Sequence, residues 1–308
     1  MSQVFPPPRA VHRRRLAKPA SAALGVVCLV AIGAAATPIL IRLGVLHPYA
    51  VHYNLVGGVG SVPTGNLGGV SLAHPLGVEP LLGRDILSRL LLAMSLSLLI
   101  ATGATVLAVL IGGTLGILSG YLGGAVDHLI SRATDLVLAF PAFILLLALS
   151  PVLRDRIDEL LPGNGAHVIA TPTIYLTVVL GLFGWPSFAR TVRGQVLILR
   201  EREFIEASRS LGAKRRRIWF RSLPPHLSTP LLVFVPLNVR HCIAAEATLT
   251  FLGVGFQPPT PSFGNLLNLS VDYLRADPAF FAVPSALLLV IMVSCTVLAD
   301  GLRDALGR

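Results

Sequence analysis

The chain has 308 residues, of which 54% are apolar and 13% charged, and its formal net charge is +10. An ordinary soluble domain carries about 25% charged residues, so this composition excludes one and indicates a membrane protein. A basic chain can suggest nucleic-acid binding, but here the charge follows a membrane topology, and no nucleic-acid partner is expected. The three cysteines, Cys28, Cys242 and Cys295, lie in apolar runs. They predict neither a disulfide framework nor a metal site.

Six apolar runs are long enough to cross a membrane, and they predict an all-α, polytopic fold. About 20 helical residues span the ~30 Å hydrocarbon core. The second run belongs to an uncharged stretch of 37 residues, Leu90 to Val126. Two spans with a turn need at least ~40 residues, so we expect one span with a glycine-rich extension. The six runs lie at about 20–41, 90–118, 136–153, 167–189, 227–251 and 279–299.

Lysine and arginine are distributed unequally between the connecting segments. Of the 25, 18 lie in the N-terminal segment, the loop after the second run, residues 190–226 and the C-terminus, and six lie on the opposite side. The positive-inside rule then predicts that both termini and residues 190–226 are cytoplasmic. The first run could instead be a cleaved signal peptide, because basic residues precede it and Ala34, Ala35 and Ala36 follow its apolar part. Its length favours a retained span.

The segment between the fourth and fifth runs predicts a short helix that ends at a glycine. Glu206 suits the positive, N-terminal part of this helix, and Gly212 can take the left-handed position after it. Pro224 and Pro225 are expected to stop a second helix at the membrane surface. The pattern predicts a helix that docks on another protein; the alternative is a basic loop resting on anionic lipid. Four residues at i, i+3, i+4 and i+7 share its apolar side: Phe204, Ala207, Ser208 and Leu211.

The fifth run carries three ionisable residues, Arg240, His241 and Glu246. A charge at the bilayer centre costs roughly 2.5–3.5 kcal/mol on insertion scales, so such residues usually face the bundle interior or a wet cavity. Arg240 and Glu246 are six residues apart and therefore do not form a helical ion pair. We hypothesise that the three line a translocation pathway or an interface with a second subunit. The alternative is that they pair with other spans for structure alone.

Several segments, taken in order, resemble one family: HPLG at 74–77 with GRDILSR at 83–89, GYLGGAVD at 120–127, WPSFARTVRGQ at 185–195, EATLTFLGVGFQPPTPSFGNLL at 246–267 and DGLRDAL at 300–306. They resemble the permease subunits of ABC importers for dipeptides, oligopeptides and nickel, specifically the second of the two permeases. In the docking segment Glu206, Ala207, Gly212 and Pro225 match the family's cytoplasmic coupling loop. Ser208 replaces its second alanine.

The resemblance implies a permease core at 74–308, with five spans and a coupling loop at about 190–226. Residues 1–73 would supply a cytoplasmic tail, the first span and an external loop. It also implies two ATPase subunits, a second permease in a heterodimer, an extracytoplasmic solute-binding protein and contact with membrane lipid. Residues 42–73 and 150–170 are expected as external loops without an assigned function.

The chain itself is expected to be neither an enzyme nor a cofactor-binding protein. It contains no Gly-x4-Gly-Lys-[Ser/Thr] motif to hold ATP phosphates. An intramembrane hydrolase is disfavoured because Gly-x-Ser-x-Gly and His-Glu-x-x-His are absent. An ion-coupled secondary transporter is disfavoured because no internal repeat relates the two halves. Import of nickel or another small solute remains the alternative to peptide import.

Overall fold

The structure is a computed structural model that describes residues 18–58, 60–65, 67–160, 167–214 and 217–306. Helices dominate these ranges, which confirms the predicted all-α fold. A short antiparallel hairpin, β1 (Val56–Gly57) and β2 (Val62–Pro63), lies in the connection between the first two helices. The α-helices in the described ranges are α1 (Lys18–Arg42), α2 (Ile86–Leu122), α3 (Gly124–Ala139), α4 (Ala142–Leu160), α5 (His167–Leu199), α6 (Glu203–Ser210), α7 (Ser228–Phe251), α8 (Phe263–Asp272) and α9 (Pro278–Leu306).

Five helices of the described chain are long and apolar enough to cross a membrane, namely α1, α2, α5, α7 and α9. Helices α3 and α4 meet at a bend of 91° and form either a sixth, broken span or a re-entrant loop. Five of the six predicted spans are therefore found as single helices in the described residues, and the sixth corresponds to this bent pair. The third predicted span, 136–153, is wrong as a single helix, because α3 ends at Ala139 and Phe140 is extended. The cause is Pro141, which disfavours helical geometry in the residue before it.

The expected loop at 150–170 is also largely helical in the described residues. Helix α4 continues to Leu160, and α5 begins at His167. Charged residues in the last turns of α4 made this stretch look like a loop, although a helix can project beyond the apolar core. Thr171 on α5 donates a hydrogen bond to the Asp158 carboxylate, which ties the two helices together there.

Helix α2 is continuous over 37 residues, about 55 Å at 1.5 Å per residue, and this confirms the single span with a helical extension. Asp85 caps its start by accepting a hydrogen bond from the Ser88 amide at 2.7 Å. We call the end of the bundle at Ile86 the loop end and the end at Leu122 the coupling end. Helices α1, α4 and α7 run towards the loop end, and α2, α5 and α9 run towards the coupling end.

Helix α1 packs against α2 and α9 as part of this bundle. Thr37 is fully buried, and its hydroxyl lies 2.8 Å from the Gly33 carbonyl and 3.4 Å from the Leu91 carbonyl of α2. A Cβ at Gly33 would lie 3.1 Å from Met94 Cε, which shows how closely α1 approaches α2. This packing supports the interpretation of the first run as a retained span.

Helices α2 and α5 approach each other closely along three glycines of α2. A Cβ added at Gly112 would lie 2.6 Å from the Trp185 carbonyl oxygen, and one at Gly116 would lie 2.7 Å from the Ala189 carbonyl oxygen. A Cβ at Gly120 would meet Val196 Cβ at 2.8 Å. Small residues at i, i+4 and i+8 let two membrane helices make backbone contact. We call this contact between α2 and α5 the glycine seam.

At the loop end, the segment between α1 and α2 folds into a cap held by buried charges. Glu79 is fully buried and forms ion pairs with Arg84 and with Arg89, the latter at 2.9 Å. Arg89 also donates hydrogen bonds to the carbonyl oxygens of Pro48 at 3.2 Å and Pro259 at 3.4 Å. The connection between α1 and α2 therefore packs on the start of α2, and the loop after α1, for which the sequence predicts no function, takes part through Pro48. Arg89 itself also contacts the connection after α7.

Candidate functional site

Helix α6 lies at the coupling end between α5 and α7, and a single isoleucine anchors it. Ile205 is fully buried. Its apolar neighbours come from α5 and from the turns that lead into α7, so Ile205 joins α6 to both segments. The buried residues of this cluster, which we call the coupling-end core, are Phe188, Val192, Val196, Ile205, Ile218, Leu223 and Leu227.

The prediction that Phe204, Ala207, Ser208 and Leu211 form one docking side is only partly correct. Phe204 is half-buried, and its ring stacks on that of His226 with centroids 4.4 Å apart. Ser208 is also half-buried, and its hydroxyl donates to the Phe204 carbonyl at 2.7 Å. By contrast, Ala207 is exposed and Leu211 is 87% exposed. The helix therefore divides its apolar residues between its own bundle and an uncovered edge.

The sequence pattern missed Ile205 because the residue adjoins the predicted face instead of lying on it. Its partners on α5 and before α7 are distant in sequence, so no local periodicity signals the contact. Glu206 is exposed beside Ala207, in the first turn of α6. The uncovered edge of α6, formed by Glu206, Ala207 and Leu211, is the part that another protein can reach.

Gly212 ends α6 as the sequence predicts, with φ of +75°. The Ala213 amide donates to the Ser208 carbonyl at 3.0 Å, which is the hydrogen bond that closes a helix through a left-handed residue. A Cβ at Gly212 would meet no atom within 4 Å. Backbone conformation, and not space, therefore favours glycine here.

Helical geometry changes at Pro224 and Pro225, as expected, but the chain does not leave the helical conformation there. A π-helical turn, Ile218–Ser222, is followed by a 3-10 turn, Pro224–Leu227, and the latter leads directly into α7. Proline is tolerated in the first turn of a helix because the amide it lacks has no partner there. Pro225 is exposed, and its carbonyl accepts a hydrogen bond from the Ser228 hydroxyl at 2.9 Å.

The structure separates the three ionisable residues of α7. Glu246 is fully buried against α2, where its carboxylate accepts hydrogen bonds from the hydroxyls of Ser97 and, at 3.0 Å, Thr250. Arg240 is half-buried, and within the described residues its Nε is buried without a hydrogen-bond partner. His241 is exposed. Arg240 and His241 are thus adjacent on a side of α7 that Glu246 does not share.

That side of α7 forms a strip that the chain leaves largely uncovered. Leu237 and Ala244 are half-buried, whereas His241, Thr248 and Phe251 are exposed. These five residues follow the spacing i, i+4, i+7, i+11 and i+14, which places them on one helical face. We call this face the α7 strip.

A cavity of about 520 Å³ opens at the coupling end between α5, α7 and α9 and reaches the α7 strip at Leu237. Its walls combine apolar residues with polar side chains from all three helices. The polar residues that line it are Thr191, Gln195, His226, Thr229 and Arg303.

Ion pairs that the sequence analysis did not predict hold α3 on α5. Arg193 contacts both carboxylate oxygens of Asp127, at 2.6 and 2.7 Å, and Arg190 contacts Asp135 at 2.6 Å. The Ser119 hydroxyl, near the end of α2, also donates to Asp127. No signal for these pairs is visible in the sequence, because Asp127 and Asp135 are eight residues apart on α3 whereas Arg190 and Arg193 are three residues apart on α5.

The described residues form a membrane bundle with a short helix at its coupling end and an uncovered face on α7, which agrees with a subunit of a membrane transporter. The family model described as "binding-protein-dependent transport system inner membrane component" matches residues 112–308. The chain therefore belongs to the family of inner-membrane permeases of binding-protein-dependent transport systems.

Characterised relatives cover most of the chain. The glutathione transport system permease protein GsiD of Pectobacterium atrosepticum is 36% identical over 239 residues, 77% of this chain and 73% of that protein. The oligopeptide transport system permease protein OppC of Mycobacterium tuberculosis is 38% identical over 233 residues, 76% and 75% of the two chains. The dipeptide transport system permease protein DppC of Alkalihalophilus pseudofirmus is 33% identical over 244 residues, 79% and 75%.

Among solved structures, an inward-facing conformation of the MetNI methionine ABC transporter resembles this fold. The TM-score is 0.55 at 18% sequence identity, and the match covers 70% of this chain and 96% of that chain. At this identity the likeness supports the fold alone, and it confirms that the bundle has the architecture of an ABC transporter permease.

Proposed function

We propose that this chain is one of two different permease subunits of an ABC importer for peptides, with both termini and α6 in the cytoplasm. The distribution of lysine and arginine supports this orientation, because segment 190–226 and the flanking ends of the bundle carry most of the positive charge. The names of the relatives described above refer to glutathione, oligopeptides and dipeptides. These names favour a peptide over nickel as the solute.

Coupling to a separate ATPase would run through α6, and the division of its residues carries this proposal. Ile205 is buried in the coupling-end core, whereas Leu211 is 87% exposed two turns later. An amphipathic helix presented this way suits a groove on a partner. A push on its uncovered edge reaches α5 and α7 together through Ile205, so a rigid movement of the ATPase would tilt both helices.

The α7 strip would form this chain's half of the translocation pathway. His241 and Thr248 lie on it, and polar side chains at membrane depth face a protein interior or a wet cavity in nearly all cases. The second permease would supply the other half, and an extracytoplasmic binding protein would deliver solute at the loop end. Of Arg240, His241 and Glu246, the last is the least suited to line the pathway, because its carboxylate accepts a hydrogen bond from Ser97.

Crosslinking in the assembled transporter tests the coupling proposal. A cysteine at Leu211 should crosslink to a co-expressed ATPase subunit, with the wild-type chain treated in parallel because it contains its own free cysteines. A cysteine at Leu72, which is fully exposed in the cap at the loop end, is the matched control and should not crosslink. Crosslinking to the ATPase from Leu72 but not from Leu211 would reverse the orientation and overturn the proposal.

Transport in proteoliposomes tests the function itself. The chain, with its second permease, ATPases and binding protein, should accumulate tri-alanine only when ATP is supplied. Accumulation driven by an ion gradient through this chain alone would instead establish a secondary transporter.

A further inference from the structure

We infer that Arg240 binds the carboxylate of the peptide as it passes through the membrane; this inference rests on the proposed function. The residue lies near the middle of α7, twelve residues after Ser228 and eleven before Phe251. At 1.5 Å per residue it is about 17 Å from either end of the helix. A lone guanidinium at this depth needs a compensating anion or water.

The described part of the chain does not supply that anion. Glu246 is the only acidic residue in the middle of any described span, and its carboxylate is engaged by Ser97 and Thr250 on another side of α7. Arg240 lies on a different side of α7 from Glu246 and forms no ion pair with any described residue. Its Nε has no hydrogen-bond partner in the described residues.

The two buried arginines of the described residues have a carboxylate partner within the chain, which makes Arg240 an exception among the arginines buried in the bundle. Arg84 and Arg89 share Glu79 at the loop end, and the partly buried Arg193 pairs with Asp127. In the described residues, arginines with a structural role are therefore matched internally. A half-buried arginine left unmatched in mid-span indicates that its anion arrives from outside the chain.

The surroundings of Arg240 favour a passing solute as the source of that anion. Arg240 borders the α7 strip between Leu237 and Ala244, its neighbours at i−3 and i+4. The cavity at the coupling end reaches Leu237, which lies one helical turn before Arg240 on α7. In the described part of the chain, the residues that line this cavity include the basic side chains His226 and Arg303 and no carboxylate. Rings of Arg and Lys serve anions in pores in the same way.

All unmodified peptides, whatever their side chains, share two charged groups: the amino terminus and the C-terminal carboxylate. A planar guanidinium binds the carboxylate through two parallel hydrogen bonds. One such residue in the pathway would therefore lower the cost of moving peptides of different sequence through the membrane. The contact is transient, because the carboxylate must leave for transport to be completed.

The test compares tri-alanine with tri-alanine amide, which lacks the carboxylate, in the complete transporter reconstituted in proteoliposomes. Peptide concentrations saturate the binding protein, whose affinity for each peptide is measured separately. Arg240→Gln should lower uptake of tri-alanine about tenfold or more and leave uptake of the amide within twofold of wild type. Arg240→Lys should retain most of the uptake of tri-alanine, because it keeps the charge.

A second measurement distinguishes binding of the peptide carboxylate by Arg240 from a structural ion pair with another subunit. It can be made even if the binding protein does not deliver tri-alanine amide. The melting temperature of the peptide-free complex should be unchanged by Arg240→Gln. Ser97→Ala is the matched control: it disturbs the buried Glu246 and should lower the melting temperature without changing the preference between the two peptides.

Three outcomes would overturn the inference. Equal losses for both peptides would assign Arg240 a general role. A lower melting temperature or failed assembly of Arg240→Gln would indicate that an acidic residue of the second permease is the partner. Unchanged uptake of tri-alanine would show that the residue is not used. If the wild-type complex takes up neither peptide with ATP, the proposed function itself fails.

Discussion

The glycine seam and the α7 strip are two faces of the same bundle with opposite construction. Along the seam, backbone meets backbone, and a single added carbon at Gly116 would overlap Ala189 and Val192. Along the strip, His241 and Thr248 are exposed, and Arg240 has no acidic partner in the described residues. The comparison teaches which surfaces this chain completes by itself and which it leaves for other molecules. A transporter subunit needs both, because rigid elements must carry movement and open surfaces must receive partners.

The largest expected effect on folding comes from adding a side chain to the glycine seam between α2 and α5. Gly116→Leu should prevent α2 and α5 from packing and abolish correctly folded protein, because even its Cβ would lie 2.7 Å from the Ala189 carbonyl oxygen and 2.8 Å from Val192 Cβ. Overpacking by one or two carbons already costs about 1–3 kcal/mol. The yield of monodisperse protein in size-exclusion chromatography after extraction measures the effect.

Gly113→Leu is the matched control for this substitution, on the same helix one turn away. A Cβ at Gly113 would meet only Phe188 Cε1, at an ordinary 3.5 Å. This variant should be recovered in nearly wild-type yield. Equal yields for the two variants would show that the seam does not depend on close backbone approach.

Much of this fold follows from composition alone, because a span is a local property of about 20 residues. The apolar runs located the starts of α1, α2, α5, α7 and α9 within a few residues, but α5 continues to Leu199 and α9 to Leu306, well beyond the predicted ends at 189 and 299. The break between α3 and α4 was missed, although Phe140-Pro141 is a recognisable helix boundary. The mean apolarity of about 20 residues is hardly changed by a single proline such as Pro141. The sequence analysis therefore merged α3 and α4 into one predicted span.

The site was predicted less completely, because its contacts join distant segments. The glycine that ends α6 was visible, since a left-handed residue after a helix is a local requirement. Ile205 was not, because its burial depends on residues of α5 and of the turns before α7. Glu79 was also missed: nothing near it in sequence shows that Arg89 turns back to meet it. Long-range ion pairs leave no periodic signal.

Truncation of Ile205 tests whether α6 must be anchored in the coupling-end core for transport. Ile205→Ala removes the anchor of α6 from the coupling-end core, and truncation of a buried isoleucine costs about 2–5 kcal/mol. We expect ATP hydrolysis by the assembled complex to continue while peptide uptake per ATP falls about tenfold. Parallel assays of phosphate release and uptake in proteoliposomes measure this ratio.

Leu211→Ala is the companion variant at the residue that directly follows α6, on its uncovered edge. Because Leu211 is 87% exposed, its truncation should change the stability of the isolated chain by less than about 0.5 kcal/mol. Within the complex it should weaken binding of the ATPase. If Ile205→Ala and Leu211→Ala have the same effects in both assays, the proposed division of α6 into an anchored and an open edge is wrong.

Ser97→Ala sharpens the contrast between Glu246 and Arg240. The variant removes a donor from a fully buried carboxylate, and an unsatisfied buried polar group costs about 1–3 kcal/mol. Thermal unfolding of the purified chain should therefore occur at a lower temperature. Thr248→Ala, on the exposed strip of the same helix, should leave unfolding unchanged, because the Thr248 hydroxyl is bonded only to the Ala244 carbonyl of its own helix. A larger loss for Thr248→Ala would mean that the strip is covered within this chain.

The smallest expected effect lies at Gly212, where the coupling helix ends. Alanine has free space there but must adopt φ of +75°, which costs an L-residue roughly 1–2 kcal/mol. Asparagine visits this conformation more readily, so Gly212→Asn should cost less than Gly212→Ala. Amide hydrogen exchange across 203–213 measures the difference, since strain at the cap frays the last turn of α6 before it affects the bundle. Because α6 remains anchored through Ile205, both variants should retain most of their uptake; greater fraying with asparagine than with alanine would show that the left-handed conformation does not govern this end of the helix.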